Sequence, residues 1–170
     1  MADEVTLQEI SDLALADLRG APGDAAFTAA VESVLGAAPP TAPNTVAAGG
    51  AASLLWLSPD QWLAVGTGDL ASRLEAALAS LHHSVCDISA GRRVLELAGP
   101  EARTVLAKGM SLDLHPRAFR PGACAQTALA RVPVVLHQLD ESPRYRLYLR
   151  RSFAPYILAW LAAAMREFTT

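Results

Sequence analysis

The feature that most constrains the fold is a hairpin followed directly by an amphipathic helix. Two apolar runs, residues 54–57 and 61–65, flank a proline-containing turn, and this pattern predicts a pair of antiparallel strands. The segment that begins at Asp69 has leucines at helical spacing, which predicts a helix that packs on the sheet. The connections are too short for a regular succession of parallel strands and crossover helices.

The same alternation of strands and helices recurs along the chain. Asp24 is expected to cap a helix that ends at Gly36. A second helix is expected to hold Pro100 in its first turn, and the last, beginning at Ser152, to hold Pro155 there. The last helix is predicted to bury Phe153, Tyr156, Ile157, Trp160 and Leu161. Further strands are predicted at residues 5–10, 13–18, 84–88, 93–97, 126–130, 132–137 and 145–149.

This order of elements predicts an α+β fold with antiparallel or mixed sheets, built as two intertwined ferredoxin-like halves. We expect a single domain over residues 1–170, with halves at approximately residues 5–90 and 91–168. The chain is 52% hydrophobic, so it can bury a core. Residues 39–50 are rich in proline and glycine, which predicts an exposed, mobile connection that encloses at most one short strand.

Charge is distributed unevenly along the sequence. Residues 1–69 contain nine acidic residues and one basic residue, whereas the remainder contains eight acidic and thirteen basic residues. These are either solvated faces with local pairing or a basic surface that faces an acidic partner or an anionic ligand. A pI of 5.8 argues against nucleic-acid binding. Because the sequence shows no signal peptide and no spanning apolar run, we expect a cytoplasmic protein without a membrane segment.

The sequence lacks the common motifs of catalytic, nucleotide-binding and metal-binding sites. The sequence contains no Gly-x-Ser-x-Gly or Gly-x-Gly-x-x-Gly motif, and its histidines and cysteines lack metal-ligand spacing. We therefore expect no catalytic residue, no metal and no cofactor in this chain. Cys86 and Cys124 are predicted to be buried structural thiols. Asp87 and Ser89 lie at a spacing of two, so they either grip a ligand together or cap the turn into Gly91.

Four further side chains are candidates for an interface or a structural role. Trp56 and Trp62 either stack on a pterin or pack in a core or an interface. Arg92 and Arg93 are either solvated or fix the turn through an ion pair with Asp87. Together with Asp87, they are the residues that we single out, because tryptophan and arginine often dominate interfaces.

The order of several motifs resembles a known family over roughly residues 6–168. A strand with Asp-x-Ser, a second strand and a helix opened by Gly-Pro-Glu-Ala-Arg are similar to the folate-binding fold of glycine-cleavage aminomethyltransferases. In this sequence those earlier motifs are Asp87-Ile88-Ser89 and Gly99-Pro100-Glu101-Ala102-Arg103. Two later motifs are Asp113-Leu114-His115-Pro116-Arg117-Ala118-Phe119 and Cys124-Ala125-Gln126-Thr127. With these two motifs the chain resembles, more specifically, the gamma subunit family of heterotetrameric sarcosine oxidase.

The resemblance implies a non-catalytic subunit that supports assembly of a complex with alpha, beta and delta subunits. That complex oxidatively demethylates sarcosine to glycine and transfers the one-carbon unit to tetrahydrofolate. The partner subunits are expected to bind FAD, FMN, NAD, zinc and tetrahydrofolate. The chain is expected to lack the C-terminal barrel of folate-binding relatives. The alternative is an independent tetrahydrofolate-dependent aminomethyl or methyl transferase, with Trp56, Trp62 and Asp87 around the pterin.

Overall fold

A computed structural model describes residues 4–50 and 52–168. Their contacts divide them into two units, one formed by residues 12–90 and the other by residues 4–11 together with residues 91–168. The first strand, β1 (Thr6–Ile10), belongs to the second of these units. The division therefore differs at its N-terminal end from the predicted halves at residues 5–90 and 91–168.

The unit of residues 12–90 contains five strands and two helices. Its sheet has the order β3-β4-β5-β2-β6, and every neighbouring pair is antiparallel. Without the edge strand β3, the order is that of a ferredoxin-like fold. The elements are β2 (Ala14–Gly20), α1 (Ala25–Leu35), β3 (Val46–Gly49), β4 (Ala52–Ser58), β5 (Gln61–Gly66), α2 (Leu70–Leu78) and β6 (His83–Asp87).

The other unit repeats this arrangement with a different chain order. Its antiparallel sheet has the order β1-β7-β10-β9-β8, so the N-terminal strand β1 takes the edge position that β6 takes in the first unit. Residues 12–90 are thus inserted between two neighbouring strands of one sheet. The elements after the insertion are β7 (Arg92–Ala98), α3 (Ala102–Ala107), β8 (Cys124–Leu129), β9 (Val132–Asp140), β10 (Arg144–Arg150) and α4 (Ala154–Met165).

Local signals define α1 as the sequence predicts. The Asp24 side chain accepts a hydrogen bond of 2.9 Å from the amide of Ala26, which satisfies a free donor of the first turn. Gly36 ends the helix with a φ of 75°, a conformation that glycine adopts without strain. In contrast, Pro100 lies in the turn before α3, not in its first turn.

Residues 39–50 are less exposed than predicted. Pro39 is buried, and the carbonyl of Pro40 accepts a hydrogen bond of 2.8 Å from Nε1 of Trp62. Gly49, at the end of β3, lies against the backbone of Gly36. The segment therefore packs on its own unit, through the hydrogen bond from Trp62 to Pro40 and through the approach of Gly49 to Gly36.

Three predicted burials are wrong, those of Phe153, Tyr156 and Cys86. Phe153 and Tyr156 are 38% and 51% exposed, since the face of α4 that packs on the sheet carries Ile157, Leu161 and Met165 instead. Cys86 is exposed on the edge strand β6, whereas Cys124 is buried as predicted. Among the described residues, no helix has the length and apolarity to cross a bilayer.

Candidate functional site

The Asp-x-Ser segment forms a closed corner at the end of β6. Oδ1 of Asp87 accepts hydrogen bonds from the Ser89 amide, at 2.9 Å, and from the Ser89 hydroxyl, at 2.6 Å. The same hydroxyl oxygen accepts a hydrogen bond of 2.9 Å from the amide of Leu15, and the amide of Ile88 donates to the Leu15 carbonyl. The corner therefore ties the end of β6 to the start of β2.

The electrostatics of this corner suit a structural role. The two hydrogen bonds from Ser89 hold the pKa of the Asp87 carboxyl below its ordinary value, because they stabilise the ionised form. Of the two interpretations that the sequence allows for Asp87 and Ser89, the structure shows the turn-capping one. A carboxylate that is already bonded to its own turn has less acceptor capacity left for a ligand.

The two tryptophans face each other across the hairpin of β4 and β5, but only one is buried. Trp62 is 0% exposed, and its ring packs against Phe27 with ring centroids 5.9 Å apart. Trp56 lies opposite Trp62 in the strand register and is half-buried against the same cluster. Trp62 is thus a core residue whose indole N–H is satisfied by the Pro40 carbonyl.

The arginine pair begins β7, and Arg93 forms an ion pair with a neighbouring strand. Nε of Arg93 lies 2.9 Å from Oε1 of Glu9, so the ion pair joins β7 to β1 and not to Asp87. Arg92 lies opposite Arg150 in the register of β7 and β10. Arg93 is therefore a link between neighbouring strands, and its side chain is 38% exposed.

Trp56, Trp62 and Asp87 do not come together around a cavity. Trp62 lies on β5 and Asp87 on β6, and β2 separates these two strands in the sheet. Because the Trp62 ring is fully buried in the core and Asp87 is exposed at an edge, the three side chains do not fit a pterin ring. The residues named for the transferase alternative therefore do not form its site.

Sequence reasoning missed a buried polar cluster on the sheet of the second unit. Nε of Arg146 donates to Oε2 of Glu96 over 2.8 Å, and Arg144 approaches the other carboxylate oxygen at 3.7 Å. His137 lies opposite Arg146 in the register of β9 and β10 and is 6% exposed. Tyr148, one position further along the same face of β10, is 2% exposed.

Burial decides the protonation states in this cluster. It lowers the pKa of His137 to about 4, and the positive charge of Arg146 acts in the same direction. Burial also raises the pKa of Tyr148 to about 12. Both side chains are therefore neutral near pH 7, and the partly buried charge of Arg146 is balanced by Glu96. The signal in the sequence is the spacing of two between Arg144, Arg146 and Tyr148, which places polar groups on one face of β10 while Leu147 and Leu149 lie on the other.

An open depression of about 430 Å³ lies on the first unit. Several of its polar side chains are already engaged: Arg19 donates to Gln61, Asp60 accepts from Ser58, and His83 lies 3.1 Å from Glu75. It is lined by Arg19, Gly20, Ala21, Pro22, Asp60, His82, His83 and Ser84.

Comparisons with known proteins connect this fold to one family. The sequence pattern described as "Sarcosine oxidase, gamma subunit family" matches residues 19–167. The chain belongs to this family. A sarcosine oxidase subunit gamma from Corynebacterium sp. (strain P-1) is 39% identical over 171 residues, which cover 99% of this chain and 84% of that protein.

Solved structures agree with the gamma-subunit assignment. The heterotetrameric sarcosine oxidase from Corynebacterium sp. U-96, solved in complex with pyrrole 2-carboxylate, contains a similar chain with a TM-score of 0.90 and 36% identity. The match covers 100% of this chain and 88% of that one. Aminomethyltransferase T of the glycine cleavage system from Bartonella henselae shares the fold, with a TM-score of 0.69 at 15% identity. That match covers 94% of this chain and 45% of the transferase.

The predicted family and α+β fold are thus confirmed, with sheets that are antiparallel throughout. Within residues 4–50 and 52–168, no group of three or more histidine, cysteine, aspartate or glutamate side chains has a geometry that could hold a metal ion. Of the side chains singled out from the sequence, Asp87 lies in the corner, Trp62 lies in the core of the first unit, and Arg93 forms an ion pair from β7 to β1.

Proposed function

We propose that this chain is the gamma subunit of a heterotetrameric sarcosine oxidase and supports the assembly of that complex without an active site of its own. The observation that carries the proposal is the match of the whole chain to a chain of such a heterotetramer, with a TM-score of 0.90 at 36% identity. The complex converts sarcosine to glycine by oxidative demethylation and passes the one-carbon unit to tetrahydrofolate.

The partners and cofactors belong to the same proposal. The chain assembles with alpha, beta and delta subunits in the cytoplasm. Those partners bind FAD, FMN, NAD, zinc and tetrahydrofolate. The two units of this chain act as a single domain, since the inserted residues 12–90 are joined to the other unit by two chain connections. The engaged state of Asp87, Arg93 and Trp62 supports a structural role for these side chains.

The roles of the singled-out residues can be divided by exposure. Trp62 and Asp87 maintain the fold of the first unit, from the core and from the corner. Trp56, Arg92 and Arg93 are only half-buried, so they retain surface that a partner can cover. Loss of an anchoring tryptophan or arginine should release the subunit from the complex.

Copurification from the source cell tests the proposal. A tagged chain should recover three further polypeptides in equal amounts, and the complex should show flavin absorption whereas the isolated chain should be colourless and metal-free. Equilibrium titration of the isolated chain with tetrahydrofolate is the complementary measurement. Recovery of the chain alone, or stoichiometric folate binding that Asp87→Ala abolishes, would overturn the subunit role in favour of a transferase.

A further inference from the structure

Helix α4 has no charged residue on any side. Its inner face, with Ile157, Leu161 and Met165, packs in the core of its unit. A helix at the surface normally carries polar side chains on its outer face, and a helix that is apolar all round is normally buried. The outer face of α4 is nevertheless exposed. With the preceding Phe153, it forms what we call the α4 surface: Phe153, Pro155, Tyr156, Ala159, Ala162 and Ala163.

Two aromatic rings stand at one end of the α4 surface. Phe153 and Tyr156 are the large apolar side chains that the described residues leave exposed, at 38% and 51%. The Tyr156 hydroxyl donates a hydrogen bond of 3.0 Å to the carbonyl of Ala130, so the ring is fixed before any partner binds. A fixed aromatic side chain loses little entropy on binding, which is the property of an interface anchor.

The turn that holds Tyr156 is itself strained. Ala130 and Arg131 connect β8 to β9 with φ values of 47° and 75°, although neither is the glycine or asparagine that such a two-residue turn favours. The Ala130 amide also donates to the carbonyl of Gly109 over 2.9 Å. Strained turns persist where surrounding bonds hold them, and they concentrate at functional surfaces. Here the turn places exposed Arg131 beside the aromatic end of the α4 surface.

Uncompensated positive charge lies at both ends of the α4 surface. Arg151 precedes the helix and Arg166 follows it, and both are exposed. The ion pairs found among residues 4–50 and 52–168 include neither of them, nor Arg131. The nearby Glu167 is engaged by Lys108. A cation at a helix N-terminus opposes the helix dipole, so Arg151 does not serve the stability of α4.

We propose that the α4 surface is a docking site for a different subunit, one that presents an apolar patch bordered by aspartate or glutamate side chains. This inference rests on the proposed role as a subunit of a heterotetramer. A second copy of this chain is a poor occupant, because pairing two α4 helices in either orientation places arginine against arginine. An acidic border on the partner instead pairs Arg131, Arg151 and Arg166.

A new charge on the α4 surface is the test. Ala159→Glu removes no hydrogen bond and places a carboxylate in the middle of the apolar face. Ala29→Glu, on the exposed side of α1, is the matched control. Tagged variants are expressed in source cells that lack their own copy, and the companion subunits recovered with each are quantified. Ala159→Glu should reduce recovery by about tenfold or more, and Ala29→Glu should not.

Additional variants test the arginines that border the α4 surface and control for misfolding. Arg151→Glu and Arg166→Glu should weaken assembly most at low salt, since they reverse charges that face an acidic border. If Ala159→Glu melts at a lower temperature than the wild type, Ala162→Glu replaces it.

Normal assembly of a folded Ala159→Glu chain would overturn the α4 docking site while leaving the subunit role intact. Failure of the wild-type chain to recover companions would instead overturn the proposed function. Concentration-dependent dimerisation that Ala159→Glu abolishes would assign the face to a second copy and reject the heterologous partner.

Discussion

The Ser89 hydroxyl donates a hydrogen bond of 2.6 Å to the Asp87 carboxylate. Since the same oxygen accepts from the Leu15 amide, Ser89→Ala should remove two interactions and lower the free energy of unfolding by about 1–2 kcal/mol. Ser84→Ala, the same substitution at an exposed position of β6, is the control and should change it by less than about 0.5 kcal/mol. Urea denaturation of the isolated chain measures both. Equal effects of the two substitutions would show that the corner adds nothing.

The close approach of Gly49 to Gly36 predicts a second effect on stability. A Cβ atom on Gly49 would lie 2.2 Å from the carbonyl carbon of Gly36, and backbone atoms cannot move aside as a side chain can. Gly49→Ala should therefore destabilise the chain by about 3 kcal/mol or more. At Gly23 a Cβ would meet nothing within 4 Å, so Gly23→Ala should be nearly neutral. Thermal melting of the two variants distinguishes them, and a stable Gly49→Ala chain would contradict the packing described.

Buried His137 predicts a loss of stability in mild acid. Its pKa is about 4 in the folded chain, against an ordinary value of 6.5. Between these values the unfolded state binds more protons, so stability falls as the pH is lowered from 6.5 towards 4. The loss attributable to His137 is at most about 3 kcal/mol. Chemical denaturation across this pH range should show a smaller slope for His137→Gln than for wild type.

The control for this measurement is His82→Gln, which makes the same substitution at an exposed histidine outside the cluster. The same slope in His137→Gln and wild type would show that His137 titrates normally in the folded chain.

Substitution of Trp62 and Arg93 should separate folding from turnover. Trp62→Ala leaves a large cavity and should destabilise the isolated chain by about 3–5 kcal/mol. Arg93→Ala breaks a half-exposed ion pair with Glu9 and should cost less than about 1 kcal/mol. Both variants should yield less of the assembled complex, and the complex that does form should turn over normally per particle. A loss of turnover by orders of magnitude with assembly intact would place these side chains in the chemistry.

Capping and turn residues in the sequence predicted several elements correctly. The Asp24 cap and the Gly36 terminus define α1, and the proline-containing turn between residues 57 and 61 defines the hairpin of β4 and β5. These signals act within a few residues, so they depend little on the remainder of the chain. The order of motifs also placed the chain in its family.

Tertiary structure decided the features that depend on distant residues. Strand β1 pairs with β7, more than 80 positions away, because the second sheet needs an edge strand that its own segment does not supply. Both faces of α4 are apolar, so the sequence allows either one to be buried. In the structure the face with Ile157 and Leu161 is buried, and Tyr156 lies on the exposed face. Since periodicity shows that a face is apolar but not which apolar face meets the core, the sequence determined the elements, and long-range packing determined which surface of α4 remains exposed.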